Sequence, residues 1–359
     1  MVTAPPTPGA SGARTGLDST DVVTRWDLDK TYLRSRFDTL KELLNAALET
    51  PEEKRAVPGA AAVLRELSGR GARVHILSGS PRQMRSKLSA KLELDGVRYD
   101  ELTLKPNLSN LARLRFRALR DQLGYKLPEL LSARARDLQH EYGRRHPLEI
   151  LVGDDSESDA FVYSLYADIC AGSLDLTTLE RVLEVGEAYS GAIRDCRAAL
   201  PRIAEHDVVD RILIHLDGQT PPSRFRHYGS RLVPFYNYFQ AACVLVERRV
   251  LSPEAVLRIG SEFLEQHGFT PDSLARSYLD LLRRGHAAGR APGMLDAALP
   301  GVAGMLRAHA DLVRAVALMK TDAPNAFDVE ERKPVIDYTK LAERYRGGGN
   351  RRRPGMTFG

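Results

Sequence analysis

Two aspartates one residue apart, Asp27 and Asp29, and the hydroxyl of Thr31 close a short run of β-branched and aromatic residues, Val22-Val23-Thr24-Arg25-Trp26. In an extended chain residues i and i+2 face the same way, so both carboxylates can address one polar group beyond the strand end. Carboxylates that close repel unless a cation or a proton lies between them. An acidic turn in which Asp29 caps a helix would carry the same letters.

Three further stretches bear groups of matching chemistry. Ser78-Gly79-Ser80-Pro81 follows the apolar run Arg73-Val74-His75-Ile76-Leu77, and helical periodicity resumes at Met84, Leu88 and Leu92. The amides of such a turn, with a helix N-terminus behind them, form a site for an anion, and a plain helix cap by Ser78 or Ser80 reads the same way. Lys126 stands between two helical runs, Leu108 to Leu123 and Leu127 to Tyr142, and opens the second, where the helix dipole slightly disfavours a cation. Gly153-Asp154-Asp155-Ser156-Glu157-Ser158-Asp159 ends the apolar run Leu148 to Val152 and again sets carboxylates at the end of a strand.

The elements that must position these groups alternate. Helical spacing over Phe37 to Leu48 and over Ala60 to Leu67, with the stop Gly69-Arg70-Gly71, separates the first two strands, and Glu101-Leu102-Thr103-Leu104 is a third. Strands alternating with helices predict an α/β fold with a doubly wound, mainly parallel sheet, in which ligands bind beyond the carboxyl ends of the strands. His75, inside its strand, reads as a core histidine.

Beyond Ala167 the rhythm stops, and spacings of three and four dominate. Residues 171–335 therefore read as an α-helical domain following an α/β domain over 21–170, although Arg211 to Leu216 also suits a closing strand. Ser252-Pro253-Glu254 and Thr270-Pro271-Asp272 each combine a cap, a first-turn proline and an acid, the signature of a helix start. The aromatic run Phe235 to Phe239 reads as core packing of a helix. Residues 1–20, rich in Pro, Gly, Ala, Ser and Thr, read as a disordered leader, and 336–359, with Arg351-Arg352-Arg353, as a flexible basic tail.

Composition narrows the classes. With 52 basic against 47 acidic residues the net charge of +5 is too small to call for nucleic acid, and no run approaches a membrane span. Three widely spaced cysteines without a C-x-x-C point to a reduced, cytoplasmic protein without structural zinc.

Taken in order and spacing, Asp27-Leu28-Asp29-Lys30-Thr31, Leu77-Ser78-Gly79-Ser80-Pro81, Lys126 and Gly153-Asp154-Asp155 resemble the motifs of the haloacid dehalogenase-like phosphohydrolases. Within that superfamily the chain is most similar to the actin-patch-associated phosphatidate phosphatases, whose motifs are D-x-D-D-T, S-N-S-P, a helix-opening lysine and G-D-S-G-x-x-D-P-E-I-Y. The resemblance covers about residues 20–170. Four positions depart from the pattern: Lys30 stands for an aspartate, Gly79 for an asparagine, Asp155 for a serine and Ala160 for a proline.

The resemblance implies a phosphomonoester hydrolase with Asp27 as nucleophile, passing through an aspartyl-phosphate, and Asp29 as acid and then base. It implies Mg2+ held by Asp27, the Asp29 carbonyl and Asp154, with Asp155 and Asp159 as alternatives, since magnesium suits oxygen ligands. Ser78, Gly79 and Thr31 would bind the substrate phosphate, and Lys126 would offset its charge. Phosphatidate or another lipid phosphate is the implied substrate, with a peripheral membrane contact. The helical half would be a cap or a partner-binding module. The opposing reading is a non-catalytic phosphate- or partner-binding module on the same fold.

Overall fold

The computed structural model describes residues 22–34, 50, 52–105, 119–139, 146–155, 158–203, 205–323 and 333–348. The helix expected over Phe37 to Leu48, and the first part of the one expected over Leu108 to Leu123, lie outside them.

Six parallel strands form one sheet: β1 (Val22–Asp27), β2 (Arg73–Pro81), β3 (Glu101–Lys105), β4 (Leu148–Asp154), β5 (Val209–His215) and β6 (Leu232–Phe235). Their spatial order is 3-2-1-4-5-6. The order reverses between β1 and β4, the two central strands, and this switch point is where an open parallel sheet leaves a crevice beyond its carboxyl edge.

Alternation along the strands sorts the side chains into two apolar layers. Val22, Trp26, Val74, Ile76, Ile150, Val152 and Leu213 face one layer, while Leu77, Leu151, Ile212 and Ile214 face the other. Burial on both faces explains why these strands read as nearly continuous apolar runs.

The first layer is closed by α1 (Ala60–Gly69) and α2 (Arg85–Leu94). It also contains α7 (Tyr238–Glu247), α8 (Pro253–Gln266), α9 (Pro271–Arg283), α10 (Ala291–Val302) and α11 (His309–Asp322). The second layer holds α3 (Leu119–Gln139), α4 (Asp159–Cys170), α5 (Leu176–Val185), α6 (Ser190–Ala199) and α12 (Tyr338–Gly348). The starts expected from sequence for α8 and α9 are present. Ser252 accepts from Ala255 N–H, and Thr270 and Ser273 cap each other's backbone.

Three expectations are corrected. The stretch 171–335 is not all helical, because β5 and β6 lie in it and extend the sheet, and helices α7 to α11 share an apolar core with β1 and β2. The break expected at Gly124-Tyr125-Lys126 is absent, and α3 runs through it and through Pro128. Proline leaves the carbonyl four residues earlier without its helical donor, and the packing of this buried helix outweighs that loss. Finally, residues 338–348 of the expected flexible tail form α12. Tyr338 is buried, its hydroxyl donates to Asp168 Oδ2 at 2.6 Å, and it packs edge-on against Phe161. No helix among the described residues is long and apolar enough to cross a membrane.

Candidate active site

β1 and β4 end side by side at the switch point, and each ends in an aspartate, Asp27 and Asp154. A third carboxylate, Asp159, comes from the first turn of α4. One oxygen from each of the three lies within 4.8 Å of the others, and all three residues are buried. The backbone fixes this convergence. Asp159 Oδ2 accepts the Asp154 N–H at 3.2 Å, and a Cβ on Gly153 would come within 2.3 Å of that same oxygen. Glycine at 153 is what lets Asp159 reach the strand.

Lys126 enters from the middle of α3 with 1% exposure. Its ammonium bridges two of the acids, Asp27 Oδ1 at 2.8 Å and Asp159 Oδ1 at 2.5 Å. The lysine expected to open a helix is instead buried in its interior, so no helix N-terminus opposes its charge. This buried, all-oxygen donor set fits one divalent hard cation.

Asp29 is half-exposed. Its Oδ2 accepts from Ser78 Oγ at 3.0 Å and lies 3.4 Å from Ser80 Oγ. Ser78 in turn accepts the Ser80 N–H at 3.0 Å, which tightens the turn around Gly79. The carboxylate of Asp29 is thus not part of the three-acid cluster, and Ser78, expected to hold phosphate, is hydrogen-bonded to Asp29. Asp155, named as an alternative ligand, clamps the loop after β5. Its two oxygens accept the Gly218 and Thr220 amides, each at 2.7 Å. Thr31 is fully buried, and its hydroxyl has no hydrogen-bond partner among the described residues.

Lys30 sits in the left-handed region with φ of 61° and is 8% exposed. A non-glycine residue there costs about 1–3 kcal/mol, and the surroundings must hold it. Its N–H donates to Leu33 O at 2.8 Å, and its carbonyl accepts from His215 Nδ1 at 3.3 Å. Burial lowers the His215 pKa below its ordinary value, opposed by that hydrogen bond, so the imidazole is neutral at pH 7. Tyr238 stacks on Trp26 and donates to Thr31 O at 2.7 Å. Tyr125, next to Lys126, donates to Ser78 O at 2.9 Å.

His215, Tyr238 and Tyr125 escape a reading of the sequence. The first two come from a stretch whose periodicity is helical, and their role appears only when β5 and β6 join the sheet. Adjacency to Lys126 was the one available signal for Tyr125.

No protein-family model matches the chain, and no curated protein does. A solved structure of DsGPDH of Dunaliella salina aligns over 93% of this chain and 84% of its own length, at 12% identity and a TM-score of 0.25. A likeness that slight carries no argument about the site.

Proposed function

We propose that the chain is a divalent-cation-dependent phosphomonoester hydrolase of the haloacid dehalogenase type, acting through an aspartyl-phosphate. The observation that carries this reading is the meeting of Asp27, Asp154, Asp159 and Lys126 at the crevice between β1 and β4. The 3-2-1-4-5-6 strand order supports it by setting that meeting at the carboxyl edge of the sheet.

Asp27, Asp154 and Asp159 would hold the cation, Mg2+ in our reading, which lets an anionic nucleophile approach an anionic phosphate. Asp27 attacks phosphorus, the ester P–O bond breaks, and the departing oxygen takes a proton from Asp29. Water then attacks phosphorus, gives a proton to the Asp29 carboxylate, and the bond from phosphorus to Asp27 breaks to release phosphate. The hydrogen bonds from the Ser78 and Ser80 hydroxyls hold Asp29 at the mouth of the crevice. Lys126 orients Asp27 and offsets charge on the transferred group. The Thr31 hydroxyl, buried and without a hydrogen-bond partner among the described residues, is suited to a phosphate oxygen.

Lipid phosphates, phosphatidate among them, are the substrate class we propose to test first. The experiment measures phosphate release from an aryl phosphate, small phosphomonoesters and phosphatidate in mixed micelles, with and without Mg2+. Release should need the metal and fall by about a thousandfold or more in Asp27→Asn. Undiminished turnover by that variant would overturn the nucleophile assignment. Metal binding without turnover of any substrate would favour the non-catalytic module.

A further inference from the structure

At the β6 edge of the sheet, roughly 14 Å from β1, a second cavity of about 560 Å3 opens between the turn Pro222–Tyr228, the edge strand and the end of α9. Arg226, Arg283, Arg284, His286 and Ser223 line it, and among the described residues no carboxylate does. In a chain whose charges nearly balance, three guanidinium groups around one cavity without an acid are a local excess.

The arginines are not equivalent. Arg284 belongs to the fold: it pairs with Asp280 at 2.7 Å and donates to Pro234 O at 2.6 Å, covering the bare edge of β6. Arg283 donates to Leu279 O at 3.3 Å, and neither it nor Arg226 has a carboxylate partner among the described residues. Both are exposed, so each fork is available to a ligand. His286 Nδ1 is buried and has no hydrogen-bond partner among the described residues. Burial first, then Arg284 and Arg211, lower the His286 pKa to about 4, with Asp280 opposing. The imidazole is therefore neutral and can offer an N–H donor.

We propose that this cavity is a binding site for a phosphate-bearing small polyanion, held by Arg226 and Arg283 with His286 in its wall. Guanidinium forks suit phosphate geometry. A cavity of this size is in the range of small-molecule sites and exceeds what a single inorganic phosphate fills. The site lies away from Asp27 and does not depend on the phosphatase reading.

The test is an NMR titration of the full-length protein, with labelled histidine, against inorganic pyrophosphate in the absence of Mg2+. His286 lines the cavity and His215 lies beside Lys30, so the two imidazoles report the two sites separately. Pyrophosphate should shift the His286 resonance and raise its pKa by about one unit or more, because an adjacent anion favours the imidazolium. The exposed double substitution Arg226→Gln, Arg283→Gln should weaken this binding at least about tenfold. A His286 signal unmoved at millimolar pyrophosphate would overturn the proposal, as would a shift confined to His215 or one undiminished in the double variant.

Discussion

Two clusters of buried charge lie on one face of β1, two residues apart along the strand, and they are built on opposite rules. Around Arg25 every charge is answered. Its guanidinium pairs with Glu149 at 2.9 Å and Asp137 at 2.7 Å, and it donates to His75 Nδ1 at 2.9 Å. Arg134 and the Tyr166 hydroxyl complete Glu149 at 3.3 and 2.7 Å, and Arg73 meets Asp137 at 3.0 Å. Around Asp27, oxygens of three acids converge within 4.8 Å of one another, and the Lys126 ammonium bridges two of them. The lower cluster holds β1, β2 and β4 to α3 and α4. The upper one gathers carboxylate oxygens at the switch point of the sheet, where they could hold one divalent cation, and in our proposal it is the working site.

The largest expected effect breaks the upper cluster at Lys126. Lys126→Met should lower phosphate release by about a hundred- to a thousandfold, since a charged group facing the transferred phosphoryl is removed. Steady-state kinetics with saturating Mg2+ checks this, and loss of less than about threefold would leave Lys126 without a catalytic role.

Breaking the lower cluster should cost stability instead. Glu149→Ala strands Arg25 and Arg134 in the interior, a loss of about 3–5 kcal/mol read from the urea midpoint. Acid probes the same group without a mutation. Burial alone would raise the Glu149 pKa, but the pairing with Arg25 overcomes it and holds the group at about 2 against an ordinary 4.5. The folded pKa is the depressed one, so this contribution is complete above about pH 4.5 and is lost as pH falls toward 2. It amounts to about 3 kcal/mol. A wild-type stability that stays flat over that window would remove the claim.

Asp154→Asn sharpens the contrast because its sign is reversed. In metal-free buffer it should stabilise the fold by about 1–2 kcal/mol by relieving repulsion among the acids. The wild type should melt higher with Mg2+, and the substitution should abolish that rise. Destabilisation without metal would show that no net repulsion acts among the acids. The smallest effect belongs to Tyr238→Phe, which removes one hydrogen bond to Thr31 O and should cost about 1 kcal/mol.

Much of this architecture is legible in the sequence. Strands buried on both faces announce themselves as short apolar runs, and the acids and serines that follow β1, β2 and β4 fall on one edge because parallel strands share a direction. What escapes such a reading has physical causes. Arg25 and Glu149 are charged residues inside apolar strands, and only the tertiary structure reveals that each answers the other. Gly124 and Pro128 look like helix breakers, yet the burial of α3 overrides local preference. Val209–His215 has no pattern separating a strand from a helix, and α12 lies in a polar stretch whose few anchors, Tyr338 and Ala342, are too sparse to signal packing. Asp155 and Asp159 carry the same carboxylate. Only the fold distinguishes the clamp on Gly218 and Thr220 from the member of the acid cluster.

The central claim is that the acid cluster at the β1–β4 crevice serves phosphoryl transfer to Asp27. It is tested most directly by quenching a turnover with borohydride, which reduces an acyl phosphate to an alcohol, and mapping the peptide that contains residue 27 by mass spectrometry. The account predicts reduction at Asp27 only when both Mg2+ and a phosphomonoester are present. Phosphate release that continues while Asp27 stays unmodified would contradict it.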